Sequence, residues 1–431
     1  MNEPRDYVYV PPEESVRKTL LHAWHAEAGA KMVPFGGWEM PVQYPPGIFA
    51  EHAATRTAAS LFDVSHMSCF EFAGPDAGAF LEGLLAGLVE KVAVGQAAYT
   101  ALFYPHGRTI DDAFIYRLGD VRYMLVVNAG NAREVWVWAS AVLAGDAVID
   151  PHQRDRRLPN NLTMRDLRDE GSKGLLDLAL QGPKSHGLLM DLADDDASIQ
   201  TVANLERNRI EQASIAGHAV YIARTGYTGE SVGFEIFVAP PDIVDLWTSI
   251  LDAGRSLGVL PAGLGARDAA RLEAGLPLFG HELEGEFGGT IHEAGYPWMP
   301  KIAHDTPWFI GKAAYHSRVS PKPGRHLLRL AGRGAKTVRE GHRILNGEGE
   351  AVGVVTSFAF LDDAKNFVVL AYTDSAFDPA PGDIVRAARI KDDPEPGADL
   401  SGKIVELTVR TRFPKKVERD GWRKLYSKSD G

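Results

Sequence analysis

The chain has 431 residues, of which 45% are hydrophobic, and its 46 basic and 57 acidic residues give a formal net charge of −11. This length predicts two to four domains with sizeable cores, enough for an enzyme. The acidic balance argues against general nucleic-acid binding, because neutralising phosphates requires a surplus of lysine and arginine. A small molecule or another protein is the expected partner.

Cysteine content and targeting signals narrow the cellular setting. Cys69 is the only cysteine, so an intrachain disulfide or a four-cysteine zinc site is impossible and a reducing compartment is expected. Its apolar surroundings indicate a packing role. The N-terminus has neither a basic nor an apolar signal region, and no apolar run approaches the roughly eighteen residues of a membrane span. We expect no membrane association and a cytoplasmic protein.

The first predicted element is an amphipathic helix over residues 13–31, "EESVRKTLLHAWHAEAGAK", with apolar residues at helical spacing. His22 and His25 lie three residues apart on it. They could share a metal ion in principle, but no third ligand lies nearby in sequence. The prediction is therefore that there is no metal site.

Two stretches repeat one pattern. "FEFAGPDAGAFLEGLL" at 70–85 and "LALQGPKSHGLLMDLA" at 178–193 each read as an apolar strand, a Gly-Pro turn and an amphipathic helix, which predicts two related α+β units. Between them, "AYTALFY", "TIDDAFIYRL" and "VRYMLVVN" predict an antiparallel meander followed by a helix. From about residue 325, short strands separated by Gly, Asp and Pro predict a small all-β barrel.

Three motifs resemble known sites but lack the required context. "GESVG" at 229–233 fits a nucleophile elbow, yet the strand-like "FEIFVAP" follows where a helix is needed. "GLGARDAARLEAG" lacks the third glycine of a dinucleotide loop and predicts a helix on which Arg267 and Arg271 share a face. Those arginines are expected either to pair with local acids or to bind a ligand carboxylate. Two His-Glu pairs, His281-Glu282 and His292-Glu293, lack the second histidine of a zinc motif, since Gly285 and Tyr296 stand at that position.

Asp111 and Asp112 occur together at the start of the second meander strand. Adjacent strand residues face opposite ways, so Asp112 shares a face with Phe114 and Tyr116, while Asp111 does not. A carboxylate on an aromatic face either finds donors or has a raised pKa, and both conditions suit proton exchange with a bound amine. The local pattern alone favours a structural, turn-capping role, because Asp is common in turns.

Eight segments taken in order resemble one known family. They are "GAKMVPFGGWEMPVQY", "FDVSHM", "AAYT", "IDDAFIY", "LVVNAGN", "LQGPKS", "RTGYTGE" with "GFEIF", and "GLGARDAARLEAGLPLFGHELE", and the resemblance runs from about residue 20 to residue 413. The chain resembles the glycine-cleavage T-protein family of tetrahydrofolate-dependent aminomethyltransferases and their demethylase relatives.

The resemblance implies an α+β fold of three domains in a clover-leaf, with two related folate-binding domains and a C-terminal β-barrel. The predicted boundaries are 1–60 plus 150–285 for the first domain, 61–149 for the second and 286–415 for the barrel. A basic tail at 416–431 completes the chain.

The implied activity is transfer of a one-carbon unit to tetrahydrofolate. In the T-protein, an aminomethyl group arrives on the lipoyl arm of the H-protein, ammonia leaves, and tetrahydrofolate receives a methylene bridge. One alternative is an O-, N- or S-demethylase that produces methyltetrahydrofolate. Another is a folate-binding regulatory protein without chemistry.

The family's site residues are carried over motif by motif. Asp112 resembles the carboxylate that faces the reacting folate nitrogens, and local pattern plus resemblance leave Asp111 as a structural acid of the turn. The folate-contacting positions are Tyr99, Tyr116, Tyr227, Glu235 and Arg267. Flat aromatic rings suit a pterin and an aminobenzoyl group. Trp298 matches a family tryptophan and is interpreted as a packing residue.

Three departures from the family pattern stand out. The family's "GEDGFE" is "GESVGFE" here, and the additional residue predicts a β-bulge between Glu230 and Glu235. The usual "TSGTFSPTLG" is "TSFAFLDDAKN", which is expected to alter the wall of the folate channel. An insertion, "IAHDTPW", follows Trp298.

Overall fold

A computed structural model describes residues 5–11, 15–300, 302, 305–395 and 397–411. The described residues divide into two compact units. The first takes in the chain up to Gly226, together with Glu230–Gly265 and Trp298–Arg318. The second takes in Tyr227–Gly229, Ala266–Pro297 and the chain from Val319 onward. The predicted basic tail lies outside the described residues.

Strands account for most of the ordered secondary structure. In chain order they are Arg17–Lys18 (β1), Lys31–Phe35 (β2), Trp38–Gln43 (β3), Ser60–Asp63 (β4), Ser68–Ala73 (β5), Ala97–Phe103 (β6), Thr109–Gly119 (β7), Arg122–Val127 (β8), Thr163–Asp166 (β9), Leu176–Gln181 (β10), Ile210–Ile215 (β11), His218–Ala223 (β12), Gly233–Val238 (β13), Leu260–Ala262 (β14), Arg325–Arg333 (β15), Arg343–Leu345 (β16), Ala351–Phe360 (β17), Asn366–Asp374 (β18), Ile384–Ala388 (β19) and Ile404–Val409 (β20).

Helices lie between groups of strands along the chain. They are His22–Glu27 (α1), Ile48–Thr57 (α2), Ala77–Leu84 (α3), Ala132–Ala144 (α4), Ser185–Leu192 (α5), Asp196–Asn204 (α6), Ile243–Gly254 (α7), Leu264–Ala274 (α8) and Lys312–Val319 (α9). Among the described residues, no helix has the length and apolar character needed to cross a membrane.

The predicted meander is confirmed as the centre of a five-stranded sheet with the order β6-β7-β8-β5-β9. All of its pairings are antiparallel, and Ala101 of β6 lies opposite Asp112 of β7. Phe72 and Leu125 on one face pack with Phe80 of α3 and Trp138 of α4. The other face is therefore left to carry polar and aromatic groups such as Asp112.

The predicted repeat is also confirmed. Strand β5 leads into α3 through Gly74, and strand β10 leads into α5 through Gly182, within a second sheet of order β11-β12-β13-β10-β4-β14. Gly74 has φ +143° and Gly182 has φ +138°, and a Cβ on either would lie 2.7 Å from a backbone oxygen. Only glycine meets both constraints, so the two turns share a conformation and a sequence signature.

The C-terminal prediction is confirmed by a closed barrel of order β15-β18-β17-β16-β19-β20 in the second unit. Its interior is apolar, with Leu330, Val369 and Leu407 fully buried. The α+β class with a terminal barrel is thus correct. The three predicted domain boundaries stay predictions, because the division into compact units places both large sheets in the first unit.

The predicted N-terminal helix over 13–31 is wrong in extent, because α1 covers only His22–Glu27. Arg17 and Lys18 instead pair in parallel with Trp38 and Glu39 of β3. Val16 is 52% exposed and Leu20 is 55% exposed, so the apolar spacing that indicated a longer helix has no core to bury it there. A helical pattern without a packing partner gives little stability.

A buried polar network holds α1 to the second sheet. His25 Nε2 lies 2.9 Å from Asp63 Oδ2, and Thr19 Oγ1 donates to the same oxygen at 2.8 Å. Tyr44 Oη lies 2.8 Å from His25 Nδ1. His22 contacts a different carboxylate, that of Glu39, so the two histidines do not converge. No group of three or more metal-ligating side chains exists in the described part of the chain.

Asp63 makes the stability of the first unit sensitive to acid. Burial alone would raise the pKa of Asp63, but the hydrogen bond and charge of His25, together with the hydrogen bond from Ser65 and the charge of His66, outweigh it and lower the pKa from 3.8 to about 2. A carboxyl group whose pKa is lowered by folding stabilises the fold at pH values above its pKa in the unfolded chain. This contribution is lost as pH falls from 3.8 towards 2. We expect a loss of about 2 kcal/mol over that range.

Urea unfolding of the wild type and Asp63→Asn between pH 7 and pH 3 measures this contribution. The difference in unfolding free energy between the two proteins should shrink on acidification. A difference that stays constant with pH would contradict the assignment.

Candidate functional site

Asp112 lies on the face of the five-stranded sheet that does not pack on the helices. Tyr99 stands one diagonal step away on β6, and its Oη donates to Asp112 Oδ2 at 2.8 Å. The ring of Phe114 lies 5.7 Å from that of Tyr99. Asp112 and Phe114 are half-buried, whereas their neighbours Asp111 and Ala113 are buried. The predicted alternation is confirmed, and it places one carboxylate beside aromatic rings.

Asp111 is structural, but it holds a different turn from the one predicted. Its side chain is fully buried and accepts from the backbone N–H of Asn128 at 2.8 Å, from Asn128 Nδ2 at 2.8 Å and from Asn131 Nδ2 at 2.6 Å. It therefore anchors the turn between β8 and α4, whereas the sequence pointed to the turn before β7. Strand alternation directs Asp111 away from its own turn and towards the neighbouring strand's end.

The two aspartates influence each other's protonation. Burial raises the pKa of Asp111 well above its usual 3.8, and the negative charge of Asp112 raises it further. Burial also raises the pKa of Asp112, although the hydrogen bond from Tyr99 opposes this rise. A carboxylate with a raised pKa is a stronger base, so Asp112 is better suited to accept a proton than an exposed aspartate.

Glu235 and Tyr116 form a second polar pair in the first unit. Tyr116 is fully buried, and its Oη donates to Glu235 Oε2 at 2.8 Å. Thr225 Oγ1 donates to the same oxygen. Burial raises the pKa of Tyr116 well above 10, and the charge of Glu235 adds to the effect, so Tyr116 is a permanent donor. The structure brings Tyr116 and Glu235 together, with Tyr116 orienting the carboxylate.

The predicted bulge between Glu230 and Glu235 is not present. Strand β13 begins at Gly233 and pairs with β10 and β12 without a shift of register. The additional residue lies in the preceding loop, where Glu230 Oε1 accepts from Arg56 Nη1 at 2.7 Å. Since residues 233–238 form a strand, the nucleophile-elbow interpretation of Ser231 stays excluded.

Tyr227 and Arg267 lie in the second unit and contact each other. The guanidinium of Arg267 lies 5.1 Å from the centre of the Tyr227 ring, and Tyr227 Oη donates to the carbonyl of Pro277. The guanidinium lies over the face of the ring in a cation–π contact. Their predicted contact with folate stays a prediction.

Arg271 lies on the same helix as Arg267 and pairs with acidic residues inside the second unit. Its Nη1 donates to Glu282 at 2.8 Å and its Nε donates to Asp268 at 2.7 Å. Glu282 also accepts from Thr356 at 2.7 Å and from Ser357. The altered segment "TSFAFLDDAKN" thus begins with two residues that satisfy a buried carboxylate. Its remaining residues form the β17–β18 hairpin.

Two residues near Asp112 were missed or undervalued by sequence reasoning. Asn128 donates from Nδ2 to Asp112 Oδ1 at 3.0 Å. Its position directly after β8, the strand that pairs with the strand of the two aspartates, could have indicated this contact from the sequence. Trp298, interpreted as a packing residue, is 49% exposed and its ring lies 6.2 Å from that of Tyr99. An exposed tryptophan near Tyr99, whose hydroxyl donates to Asp112, offers a flat surface for a ligand.

Comparisons with known proteins cover most of the chain. A family model described as the GCVT N-terminal domain matches residues 21–304. The aminomethyltransferase of Herpetosiphon aurantiacus is 41% identical over 342 residues, which cover 79% of this chain and 86% of that protein. The aminomethyltransferase of Bacillus subtilis is 38% identical over 360 residues, which cover 84% and 91%.

A solved structure agrees with these similarities. The glycine cleavage system aminomethyltransferase T from Bartonella henselae superposes with a TM-score of 0.74 at 30% identity, covering 93% of this chain and 98% of that one. The chain therefore belongs to the GCVT family, the aminomethyltransferases of the glycine-cleavage T-protein type.

Proposed function

We propose that this chain is the aminomethyltransferase of a glycine cleavage system and uses tetrahydrofolate as the one-carbon acceptor. The observation that carries the proposal is the Asp112 carboxylate, held by Tyr99 and Asn128 on an aromatic face, in a chain whose relatives are named aminomethyltransferases. In the proposed reaction the carbon–nitrogen and carbon–sulfur bonds of an S-aminomethyl group break. Ammonia and a free thiol are released as tetrahydrofolate gains a methylene bridge.

Bound tetrahydrofolate would supply the two amines that receive the carbon. Asp112 would accept a hydrogen bond from one of them and take up its proton, a task that requires correct position first and basicity second. Tyr99 and Trp298 would flank the flat rings, since aromatic side chains provide contact area at low entropic cost. The half-buried carboxylate among these rings fits such a ligand.

Glu235 would accept from the amino edge of the pterin. Its fit to that task is supported by Tyr116 and Thr225, which both donate to Oε2 and thereby fix the carboxylate. Tyr227 and Arg267 are proposed folate contacts on the strength of their family motifs. The stacking of the guanidinium on the ring supports a shared role in holding one ligand.

The proposed donor is an aminomethyl group on the lipoyl arm of an H-protein, because the relatives compared carry the aminomethyltransferase name. We also propose that the enzyme works in the cytoplasm, which suits its single, buried thiol.

The decisive experiment supplies tetrahydrofolate to the purified protein with either an aminomethylated lipoyl carrier or a panel of small O-, N- and S-methyl donors. We expect methylenetetrahydrofolate and ammonia in equal amounts when tetrahydrofolate is supplied with the carrier, and no product when it is supplied with the small donors. Methyltetrahydrofolate from a small donor would instead identify a demethylase. Tetrahydrofolate binding without either product would identify a binding protein.

A further inference from the structure

The side-chain amide of Asn128 is shared between the two aspartates. Its Nδ2 lies 2.8 Å from Asp111 Oδ1, 3.0 Å from Asp112 Oδ1 and 3.1 Å from the main-chain oxygen of Asp112. An amide nitrogen carries two hydrogens. One can therefore reach Asp111 while the other reaches Asp112, so that a single group spans both faces of β7.

The Asp111 end of this connection is fixed. Asp111 is fully buried and also accepts from the backbone N–H of Asn128 at 2.8 Å and from Asn131 Nδ2 at 2.6 Å. The turn that carries Asn128 is additionally backed by the β2–β3 hairpin, where a Cβ on Gly36 would lie 3.2 Å from Gly130 N. Asn128 consequently has little freedom to move.

The Asp112 end is the one that faces the proposed substrate. Its two oxygens have different donors, since Oδ2 accepts from Tyr99 and Oδ1 accepts from Asn128. Two donors, one on β6 and one in the turn after β8, fix the rotation of the carboxylate. A carboxylate has about four lone-pair positions, so this arrangement still leaves acceptor capacity for an incoming amine.

From this geometry we propose that Asn128 is a positioning residue for the transfer reaction, holding the Asp112 carboxylate in its reactive orientation against the buried anchor Asp111. The inference rests on the proposed function. Asn128 does not need to touch folate or the donor. Its effect on the rate is exerted entirely through Asp112.

The test compares Asn128→Ala with a matched asparagine elsewhere. Asn366 also binds one aspartate with both its backbone N–H, at 3.1 Å, and its Nδ2, at 2.7 Å, but its partner is Asp362 in the β17–β18 hairpin of the barrel. Both alanine variants keep the backbone hydrogen bond to aspartate and lose the side-chain one: Asn366→Ala loses a contact to one aspartate, and Asn128→Ala loses contacts to both Asp111 and Asp112. Only one of them disturbs Asp112.

We expect Asn128→Ala to lower kcat by roughly 10- to 100-fold, because small misplacements of reacting groups are costly in rate. The KM for tetrahydrofolate should change by less than about 3-fold, since folate contacts are retained. Asn366→Ala should keep kcat within about 2-fold of wild type. Its melting temperature should fall by about as much as that of Asn128→Ala. Asn128→Asp keeps the shape, removes the donor and adds a third carboxylate, so it should be slower than Asn128→Ala.

The inference is overturned if Asn128→Ala retains wild-type kcat, or if its loss of rate is matched by Asn366→Ala at equal loss of stability. A rise in KM with unchanged kcat would also overturn it, since that pattern indicates ligand binding. If the wild type itself forms no product with tetrahydrofolate, the proposed function fails and not this inference alone.

Discussion

Asp112→Asn should keep the fold and the affinity for tetrahydrofolate while lowering turnover by roughly 10²- to 10⁴-fold, the usual range for a positioned acid or base. The amide oxygen can still accept from Tyr99, so the arrangement of β6 and β7 survives. What disappears is the capacity to take a proton from the attacking amine. Stopped-time assays of methylenetetrahydrofolate measure turnover, and titration of ligand fluorescence measures binding.

The pH dependence of the wild-type rate gives a second readout of Asp112. Burial raises the pKa of Asp112 above the ordinary 3.8. As pH drops through this raised pKa, Asp112 becomes protonated and the rate falls. This acid limb should be absent from the residual activity of Asp112→Asn. Near-normal turnover in the variant, or an unchanged acid limb, would contradict a proton-accepting role for Asp112.

Arg271→Met should destabilise the second unit by about 3 to 5 kcal/mol, the usual cost of removing one partner from a buried ion pair. Arg271 and Glu282 are almost completely buried, and Nη1 lies 2.8 Å from Glu282 Oε2. Burial alone would raise the pKa of Glu282, but the charge of Arg271 and the hydroxyls of Ser357 and Thr356 lower it. Removing the arginine leaves a buried carboxylate without its counter-charge. Urea unfolding at pH 7 measures the loss.

Two variants make this prediction specific. Arg267→Met, four residues earlier on the same helix, loses its stacking on Tyr227 and should cost less than about 1 kcal/mol. The double change Arg271→Met with Glu282→Leu removes both charges and should recover much of the lost stability. Equal destabilisation by Arg267→Met and Arg271→Met would refute the assignment of Arg271 to an internal ion pair. The two arginines, indistinguishable by sequence spacing, would then share one role.

Turn chemistry and strand periodicity were readable from the sequence because they depend on near neighbours. The Gly-Pro turns at Gly74 and Gly182 were found, since a backbone with positive φ against a neighbouring carbonyl demands glycine. Alternation along β7 correctly separated the faces of Asp111 and Asp112. The N-terminal helix was overextended for the opposite reason, as helical spacing does not say whether a core is present to bury Val16 and Leu20.

Local sequence pattern left open which groups the polar side chains contact and where an additional residue is accommodated. Whether Arg271 bound a ligand or a local acid depended on Glu282, eleven residues away, and on Ser357 of the barrel. The additional residue of "GESVGFE" could be a bulge or a longer loop, and the register of β13 with β10 decided for the loop. Asn128 gained its significance only when β8 was placed beside β7.

The sequence by itself determined the family and the α+β class with its terminal barrel, and it predicted Asp112 as the catalytic carboxylate, because eight motifs in order and strand alternation are properties of the chain alone. Only the tertiary structure decided what each polar side chain contacts. It showed Asp111 anchoring the β8–α4 turn, Tyr116 bound to Glu235, and Asn128 shared by both aspartates. These contacts join residues distant in sequence, and the free energy of burying a polar group depends on the donor or acceptor that folding brings to it.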